Sequence, residues 1–283
     1  MKLCTFVRDA HRQPEIGLVV SDLIYPAPPS FRAKDMPALI EAWPELSAEV
    51  ATWPQSDQSI ELAVVRLLAP VPRPGKILGI GLNYVAHARE TNLPIPEKQI
   101  WFAKATTSVN GPFDPVQLPK VSTMVDYEVE LVAVIGRRCR HVSYDEAHKA
   151  IFGYCVGNDV SARDWQGRTP QWTLGKSFDT HAPFGPWLTT ADEVGNPHRL
   201  DLSCKVNGES RQASNTSDMV FNVFDQIAEL SQVMTLEPGD VIYTGTPSGV
   251  GMALSPPRFL EPGDRVTCEI ERLGVIEAVM TPE

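Results

Sequence analysis

One short segment, residues 126–135 with the sequence DYEVELVAVI, most narrowly limits how this chain can fold. The segment predicts a β-strand, and because successive side chains of a strand point to opposite faces, Glu128 and Glu130 share one face, with Cα atoms about 6.6 Å apart. Two carboxylates on a buried face repel each other unless a cation neutralises them or one holds a proton. A bound divalent metal ion is the simplest remedy. For Glu-x-Glu taken alone, a solvated strand face is the alternative.

The charge of the chain excludes one class of partner. A net charge of −10 and a pI near 5.1 argue against nucleic acid, because binding to its backbone requires clustered Lys and Arg. An acidic protein that acts on an anionic substrate needs a local positive centre, which a metal ion and one or two side-chain cations can supply.

The apolar runs and the cysteines indicate the cellular compartment in which the protein is expected. The longest apolar runs fall short of a membrane span, and the first residues lack the pattern of a secretory signal, so we expect no membrane contact and a cytoplasmic location. The five cysteines are widely spaced and form no CxxC pair. They predict reduced, buried thiols rather than disulfides or a zinc site.

The 283-residue chain is predicted to have two parts. Residues 1–70 predict a small N-terminal β-rich domain, with strands at 3–7, 16–20 and 62–68 around a helix at 36–43. The proline-rich stretch 70–75 predicts an extended connector, and residues 75–283 predict the catalytic domain. In that domain strands are predicted at 76–80, 128–135, 154–159, 202–206, 241–244 and 265–270, and helices at 84–90, 144–152 and 219–230. Because strands and helices do not alternate regularly, the pattern favours a β-rich α+β fold over a doubly wound sheet or a TIM barrel.

A glycine-containing turn and the helix after it form the next candidate. Residues 79–84, GIGLNY, lack the third glycine of a dinucleotide-binding turn, so a nicotinamide site has little support. Asn83 can cap the helix that follows. His87 and Glu90, three residues apart, lie on one face of that helix. Glu90 can hold the imidazole while His87 activates a water molecule. A surface ion pair is the alternative.

Asp159 is the candidate for a third carboxylate, because it stands at the end of a predicted strand. Three carboxylates without nearby Cys or His form a hard oxygen site, which suits Mg²⁺ or Mn²⁺, with Ca²⁺ also compatible. The alternative is an aspartate that caps a turn.

Two glycine-flanked segments offer groups for an anion. Lys176, in the sequence GKSFD, can meet a carboxylate or an oxyanion, or else be an exposed lysine. Thr246, in the glycine-rich segment 243–251, can offer its hydroxyl beside backbone N–H groups, unless the glycines only make a turn. Trp165, Trp172 and residues 183–187 are candidates for a pocket wall, although buried aromatic residues usually belong to the core.

Taken in order, these segments resemble the fumarylacetoacetate hydrolase family, including its acylpyruvate hydrolases and 2-hydroxyhepta-2,4-diene-1,7-dioate isomerases, over roughly residues 75–280. Five motifs carry the resemblance: Asn83-Tyr84-x-x-His87-x-x-Glu90, Asp126-Tyr127-Glu128-x-Glu130, Asn158-Asp159-x-Ser161-Ala162-Arg163-Asp164-x-Gln166, Gly175-Lys176-Ser177-Phe178-Asp179 and Thr244-Gly245-Thr246-Pro247-Ser248-Gly249-Val250-Gly251. The resemblance implies a mixed β-roll catalytic domain after a small N-terminal β domain, and a homodimer. It implies that Mg²⁺ or Mn²⁺ is bound by Glu128, Glu130 and Asp159. It also implies that His87 and Glu90 form a water-activating lid dyad, and that substrate is contacted by Gln166, Lys176 and Thr246.

The resemblance further implies an enzyme whose metal chelates a small anionic 2-oxo acid. The leading expectation is a metal-dependent hydrolase that cleaves a C–C bond in an acylpyruvate or related 2,4-dioxo acid, with water activated by His87 and a pyruvate enolate leaving. The alternative is a decarboxylase or a tautomerase/isomerase of oxaloacetate or a related 2-oxo dioic acid, which needs no attacking water. A non-catalytic 2-oxo acid-binding protein is the third hypothesis, disfavoured because simple binding requires no such dyad.

Overall fold

The structure is a computed structural model that describes residues 1–9 and 13–283. Its strands are β1 Lys2–Val7, β2 Glu15–Val20, β3 Leu23–Pro26, β4 Ile60–Glu61, β5 Arg66–Leu68, β6 Ile77–Gly81, β7 Ile100–Ala103, β8 Val109–Asn110, β9 Val116–Leu118, β10 Val125–Asp126, β11 Val129–Ile135, β12 Ile151–Asn158, β13 Ser161–Ala162, β14 Ala182–Thr190, β15 Asp201–Val206, β16 Glu209–Asn215, β17 Val241–Tyr243, β18 Arg265–Ile270 and β19 Gly274–Pro282. Its α-helices are α1 Met36–Glu41, α2 Trp43–Val50, α3 Val85–Glu90, α4 Tyr144–Ala147, α5 Arg163–Gln166, α6 Thr173–Lys176, α7 Ala191–Val194 and α8 Val223–Val233. Among the described residues no helix is long and apolar enough to cross a membrane.

The N-terminal strands continue the large sheet of the molecule. β1, β2 and β3 pair antiparallel in sequence order, and β1 also pairs antiparallel with β14, with Leu3 opposite Leu188. Helix α1 begins after Asp35, whose carboxylate accepts a hydrogen bond from the Ala38 amide at 2.9 Å. The division into a domain of residues 1–70 and one of residues 75–283 stays a prediction.

The centre of the large sheet runs in the order β14, β12, β11, β17, β6, β7. Both β11 and β12 are buried along their whole length, as expected for strands covered on two faces. Their antiparallel register places Glu130 opposite Gly157, which brings Asp159, just after β12, beside the start of β11. Strand β17 pairs with β6 in parallel, Tyr243 opposite Gly79, so the segments that follow these two strands leave from the same edge.

A second sheet, in the order β16, β15, β18, β19, β9, completes the fold. One hydrophobic core joins this sheet to the large sheet and to α8, through residues such as Leu131, Leu202, Ile227 and Ile270. Each such side chain stabilises the fold by about 1.5–3 kcal/mol when it is fully buried. The five cysteines are free and buried, as the sequence predicts.

The predicted β-rich α+β class is confirmed, while several predicted bounds are wrong. The predicted helix at 144–152 ends at Ala147 and a 3₁₀ turn follows, because the apolar residues Ile151 and Phe152 begin β12. The predicted strand at 62–68 is a 3₁₀ turn followed by β5. Helix α8 starts later than predicted, after Asn222, which forms a capping box with Asp225.

Candidate active site

Three carboxylates meet where β11 begins and β12 ends. Oxygen atoms of Glu128, Glu130 and Asp159 all lie within 4.8 Å of one another, and all three residues are buried. The backbone holds them together, because the Asp159 amide donates to the Glu128 carbonyl at 2.9 Å. The predicted convergence of the three side chains is therefore present, and neither glutamate lies on a solvated face.

Two lysines contact this cluster, and both are buried. Lys176, which ends the short helix α6, places Nζ 2.7 Å from Glu128 Oε2 and 2.6 Å from Asp159 Oδ2. Lys104, which follows β7, places Nζ 2.5 Å from Asp159 Oδ1. Lys176 is thus not the exposed lysine of the alternative interpretation. It supplies the predicted positive charge beside the carboxylates.

A buried arginine completes the charged cluster. Arg163 donates through Nε to Asp126 Oδ2 at 2.9 Å. Its Nη1 atom lies 2.6 Å from Glu128 Oε1 and 3.0 Å from Gln166 Oε1. Burial lowers the pKa of this guanidinium, but the carboxylates of Glu128 and Asp126 outweigh burial and raise it above its ordinary value. Arg163 stays charged and orients both Glu128 and Gln166.

The pKa values of the two strand glutamates move in opposite directions. Burial, followed by the charges of Asp159 and Glu128, raises the pKa of Glu130 well above its ordinary value. Burial also raises the pKa of Glu128, but the Lys176 ammonium overcomes this and the pKa of Glu128 is lowered. The pKa values of the two neighbouring carboxyl groups thus differ, as expected for like charges that lie close together. Glu130 is the carboxyl group that the nearby side-chain cations neutralise least.

This donor set fits a hard divalent cation. Three buried carboxylates lie close enough to share one ion. Burial and the charges of Asp159 and Glu128 raise the pKa of Glu130, and such an ion would offset those charges. Glu128, Glu130 and Asp159 would hold it. Oxygen-only ligands favour Mg²⁺ or Mn²⁺ over zinc or copper.

The predicted His–Glu pair lies beside the carboxylates, on helix α3. His87 Nδ1 is 2.7 Å from Glu90 Oε1, and Glu90 Oε2 accepts a hydrogen bond from the Gly249 amide at 2.7 Å. His87 is buried and Glu90 nearly so, which excludes a surface ion pair. Glu90 therefore orients the imidazole and also ties the helix to the glycine-rich loop after β17.

Asn83 does not cap α3 as the sequence predicts. Tyr84 occupies the N-cap position without a side-chain hydrogen bond. The Asn83 side chain instead donates to the carbonyls of Thr244, at 2.7 Å, and Phe221, at 2.9 Å, and accepts from the Phe221 amide at 2.8 Å. This buried amide anchors the start of α3 to the end of β17, a tertiary contact that outweighs local capping.

A cavity of about 270 Å³ opens over the cluster. Its lining combines charged and polar side chains with apolar residues. The charged and polar lining residues are His87, Thr91, Glu128, Glu130, Arg163, Gln166, Lys176 and Thr246, and the others are Ile80, Gly81, Leu82, Leu93, Phe102, Gly167, Trp172 and Met252. A ligand that fills the cavity would meet both charge and hydrocarbon.

The remaining predicted residues divide between the cavity and its surroundings. Gln166 and Thr246 line the cavity, and Thr246 Oγ1 donates to the Val129 carbonyl at 2.9 Å. Trp172 also lines it, packed on Gly81, where a Cβ atom would lie 2.1 Å from the indole. Trp165 and residues 183–187 are not among the lining residues.

Two polar residues of the site have no signal in the sequence. Lys104 reaches Asp159 from 55 positions away. Buried Gln212 accepts from the Val129 amide at 2.9 Å and donates to Thr246 Oγ1 and the Pro247 carbonyl, both at 2.8 Å. Neither belongs to a local spacing pattern, so only the tertiary fold reveals them.

The fold and the site define an enzyme of the fumarylacetoacetate hydrolase family, and the chain belongs to that family. The model described as "Fumarylacetoacetate (FAA) hydrolase C-terminal" matches residues 76–281. The resemblance drawn from the five motifs is thereby confirmed.

Individual relatives carry different activities in their names. Oxaloacetate tautomerase FAHD2A, mitochondrial, from Homo sapiens is 50% identical over 233 residues, which cover 82% of this chain and 72% of that protein. The structure of maleylpyruvate hydrolase from Sphingobium sp. SYK-6 in complex with manganese(II) ion and pyruvate has a TM-score of 0.84 at 35% identity, covering 100% of this chain and 99% of that one. The structure of 2-hydroxyhepta-2,4-diene-1,7-dioate isomerase from Mycobacterium marinum has a TM-score of 0.79 at 33% identity, with coverage of 100% and 99%.

Proposed function

We propose that this protein is a keto–enol tautomerase for a short 2-oxo dioic acid of the oxaloacetate class, dependent on Mg²⁺ or Mn²⁺. The proposal depends chiefly on the 2.7 Å contact between His87 and Glu90 at the wall of a cavity that Glu128 and Glu130 also line. The 50% identity to a protein named oxaloacetate tautomerase favours this reaction over hydrolysis, the leading expectation from sequence.

The charged and polar residues that line the cavity would bind the 2-oxo acid end of the substrate. Glu128, Glu130 and Asp159 would hold a divalent ion, which would supply Lewis acidity for the negative charge of an enolate. The ammonium group of Lys176 attracts the substrate carboxylate, and Gln166 supplies a directional hydrogen bond. Fixed, buried polar groups of this kind stabilise developing charge better than water does.

His87 would move the proton. Because we assign a hydrogen on Nδ1 that is donated to Glu90, the lone pair lies on Nε2. Nε2 accepts a proton from carbon 3 of the keto acid, the C–H electron pair forms the enolate double bond, and the imidazolium returns the proton to the 2-oxo oxygen. The keto and enol forms differ only in the position of this proton, so atoms and charge balance. The Glu90 carboxylate stabilises the imidazolium.

Hydrolysis of an acylpyruvate is the second candidate. The apolar lining residues Leu82, Leu93 and Met252 would accommodate an acyl chain. The likeness to a maleylpyruvate hydrolase over the whole chain supports the same reaction. In this case His87 would deprotonate a water molecule that attacks the remote carbonyl.

A panel of 2-oxo acids separates the candidates. With Mn²⁺ present, we expect the protein to accelerate loss of the enol absorbance of oxaloacetate at least about a hundredfold relative to His87→Gln, without release of CO₂ or pyruvate. His141→Gln, at an exposed histidine paired with Gln232, is the matched control and should behave as wild type.

Each other outcome identifies an alternative. Pyruvate and a carboxylic acid formed from acetylpyruvate would establish hydrolysis, and CO₂ from oxaloacetate would establish a decarboxylase. Binding of Mn²⁺ and oxalate without turnover of any panel member would identify a non-catalytic 2-oxo acid-binding protein.

We also propose a homodimer, as the family resemblance implies, and a cytoplasmic location. Sedimentation equilibrium at micromolar concentration should give twice the chain mass of 31.2 kDa. A monomer in that experiment would contradict the homodimer. Recovery from a membrane or organelle fraction of the native cell would contradict the cytoplasmic location.

A further inference from the structure

Lys104 is a buried cation that the proposed reaction does not use. Its backbone is anchored where β7 ends, since the Lys104 amide donates to the Ile77 carbonyl at 2.9 Å. Its side chain has no exposed surface, and Nζ lies 2.5 Å from Asp159 Oδ1 and 3.3 Å from the Val160 carbonyl. It is not among the described residues that line the cavity. No substrate in the cavity would therefore reach it.

The two lysines divide the two oxygens of Asp159 between them. Lys176, which lines the cavity, contacts Oδ2 at 2.6 Å, whereas Lys104 contacts Oδ1. Lys176 is thus placed to contact a substrate as well as the Asp159 carboxylate. Lys104 contacts the Asp159 carboxylate and the Val160 carbonyl, but does not line the cavity.

Stability does not account for this arrangement. A buried ammonium group loses its hydration, and buried ion pairs are often replaceable by apolar residues of similar size without loss of stability. The role of Lys104 therefore lies in its effect on the Asp159 carboxylate. Hydrogen-bond partners behind a metal ligand fix its orientation, and their loss typically weakens metal binding about 10–100-fold.

We infer that Lys104 is a positioning residue, which holds Oδ1 of Asp159 so that the carboxylate faces Glu128 and Glu130 in the orientation that binds the divalent ion. The inference rests on the metal site of the proposed function but not on the reaction. It requires no contact between Lys104 and metal or substrate.

The inference makes a prediction of definite sign. If Lys104 acted only through its positive charge, Lys104→Met would remove a cation that repels the divalent ion, and Mn²⁺ would bind more tightly. If Lys104 positions Asp159, the same change frees the carboxylate and Mn²⁺ binds more weakly. The two roles thus predict opposite shifts in the dissociation constant.

Titration calorimetry of the full-length protein with Mn²⁺ alone, without substrate, measures this shift. We expect Lys104→Met to weaken Mn²⁺ binding about tenfold or more, and Lys104→Gln, whose amide can still donate to Oδ1, to recover part of the affinity. Lys76→Met is the matched control. It removes an ammonium 2.7 Å from the buried Asp240, and neither residue lines the cavity, so Mn²⁺ affinity should not change.

Unchanged or tighter Mn²⁺ binding by Lys104→Met would overturn the inference. So would equal loss in the Met and Gln variants, because only a donated hydrogen bond distinguishes them. Wild-type protein that binds Mn²⁺ but turns over no 2-oxo acid would refute the proposed reaction and leave this inference intact. A wild type that binds no Mn²⁺ would refute both.

Discussion

Replacing Glu90 by Gln tests whether the His87–Glu90 pair performs the proton transfer. The Glu90 carboxylate accepts two hydrogen bonds, from His87 Nδ1 and from the Gly249 amide, each at 2.7 Å. The amide of Gln has one oxygen, so it can satisfy only one of these donors and turns an NH₂ group toward the other. The substitution also removes the negative charge that stabilises an imidazolium.

The geometry sets the size of the effect. A hydrogen bond to a charged group contributes about 1.5–3 kcal/mol. The Glu90 side chain is 19% exposed, so the lower part of that range applies. Since about 1.4 kcal/mol corresponds to a tenfold change in rate, we expect kcat to fall about 10–40-fold in Glu90→Gln. KM should stay within about threefold, because Glu90 is not among the residues that line the cavity.

The assay is the enol-loss rate of oxaloacetate with Mn²⁺, measured over a range of substrate concentrations. Glu146→Gln is the matched control, since Glu146 has the same spacing to an exposed Lys149 at 3.4 Å, and this variant should behave as wild type. A kcat within threefold of wild type, or a loss confined to KM, would refute the assignment of the dyad to proton transfer.

Three further substitutions follow from the packing and charge of the structure. Gly81→Ala places a Cβ atom 2.1 Å from the Trp172 ring, so the indole must move. This displacement costs about 1–3 kcal/mol. Because Trp172 lines the cavity, we expect KM for oxaloacetate to rise at least fivefold in steady-state assays. Burial lowers the pKa of His181 from 6.5 to about 3, so the unfolded chain binds one more proton between these values and stability falls by about 1.4 kcal/mol per pH unit as the pH drops through that window. Urea titrations of His181→Gln should show a shallower acid slope, and an unchanged slope would contradict this. Arg163→Met leaves buried carboxylates without their partner and should lower Tm by roughly 10 °C, whereas Arg32→Met, at an exposed ion pair, should not change it; equal Tm values for the two variants would refute the argument.

The parts of the site that the sequence predicts are those set by local geometry. Strand alternation brings Glu128 and Glu130 together, and helical spacing brings His87 to Glu90, so both pairs are visible without tertiary information. Asp159 joins them through the register of β11 and β12, which the sequence indicates only by the position of a strand end. The family resemblance added Gln166, which the structure places on the cavity wall.

What the sequence does not predict depends on contacts between distant segments. Glu90 reaches the Gly249 amide across 159 positions, and Gln212 reaches Val129 across 83. Such pairs are chosen by sheet order and loop closure, which no local pattern encodes. The wrong helix end at Ala147 has the same origin, since a short apolar run such as 150–156 fits a helix or a strand until its partner strands are known.

The charge balance of the cluster explains why several 2-oxo acid reactions fit one scaffold. Four buried carboxylates face three buried cations: Asp126, Glu128, Glu130 and Asp159 against Lys104, Arg163 and Lys176. With every one of these groups ionised, the excess of one negative charge would make the cluster a receptor for a divalent ion, and a bound ion would reverse the sign to an excess of one positive charge. That sign attracts a carboxylate and stabilises an enolate, which tautomerisation, decarboxylation and C–C hydrolysis have in common. The choice among these reactions therefore lies outside the charged cluster, in the apolar residues that line the cavity and in whether a water molecule can reach His87.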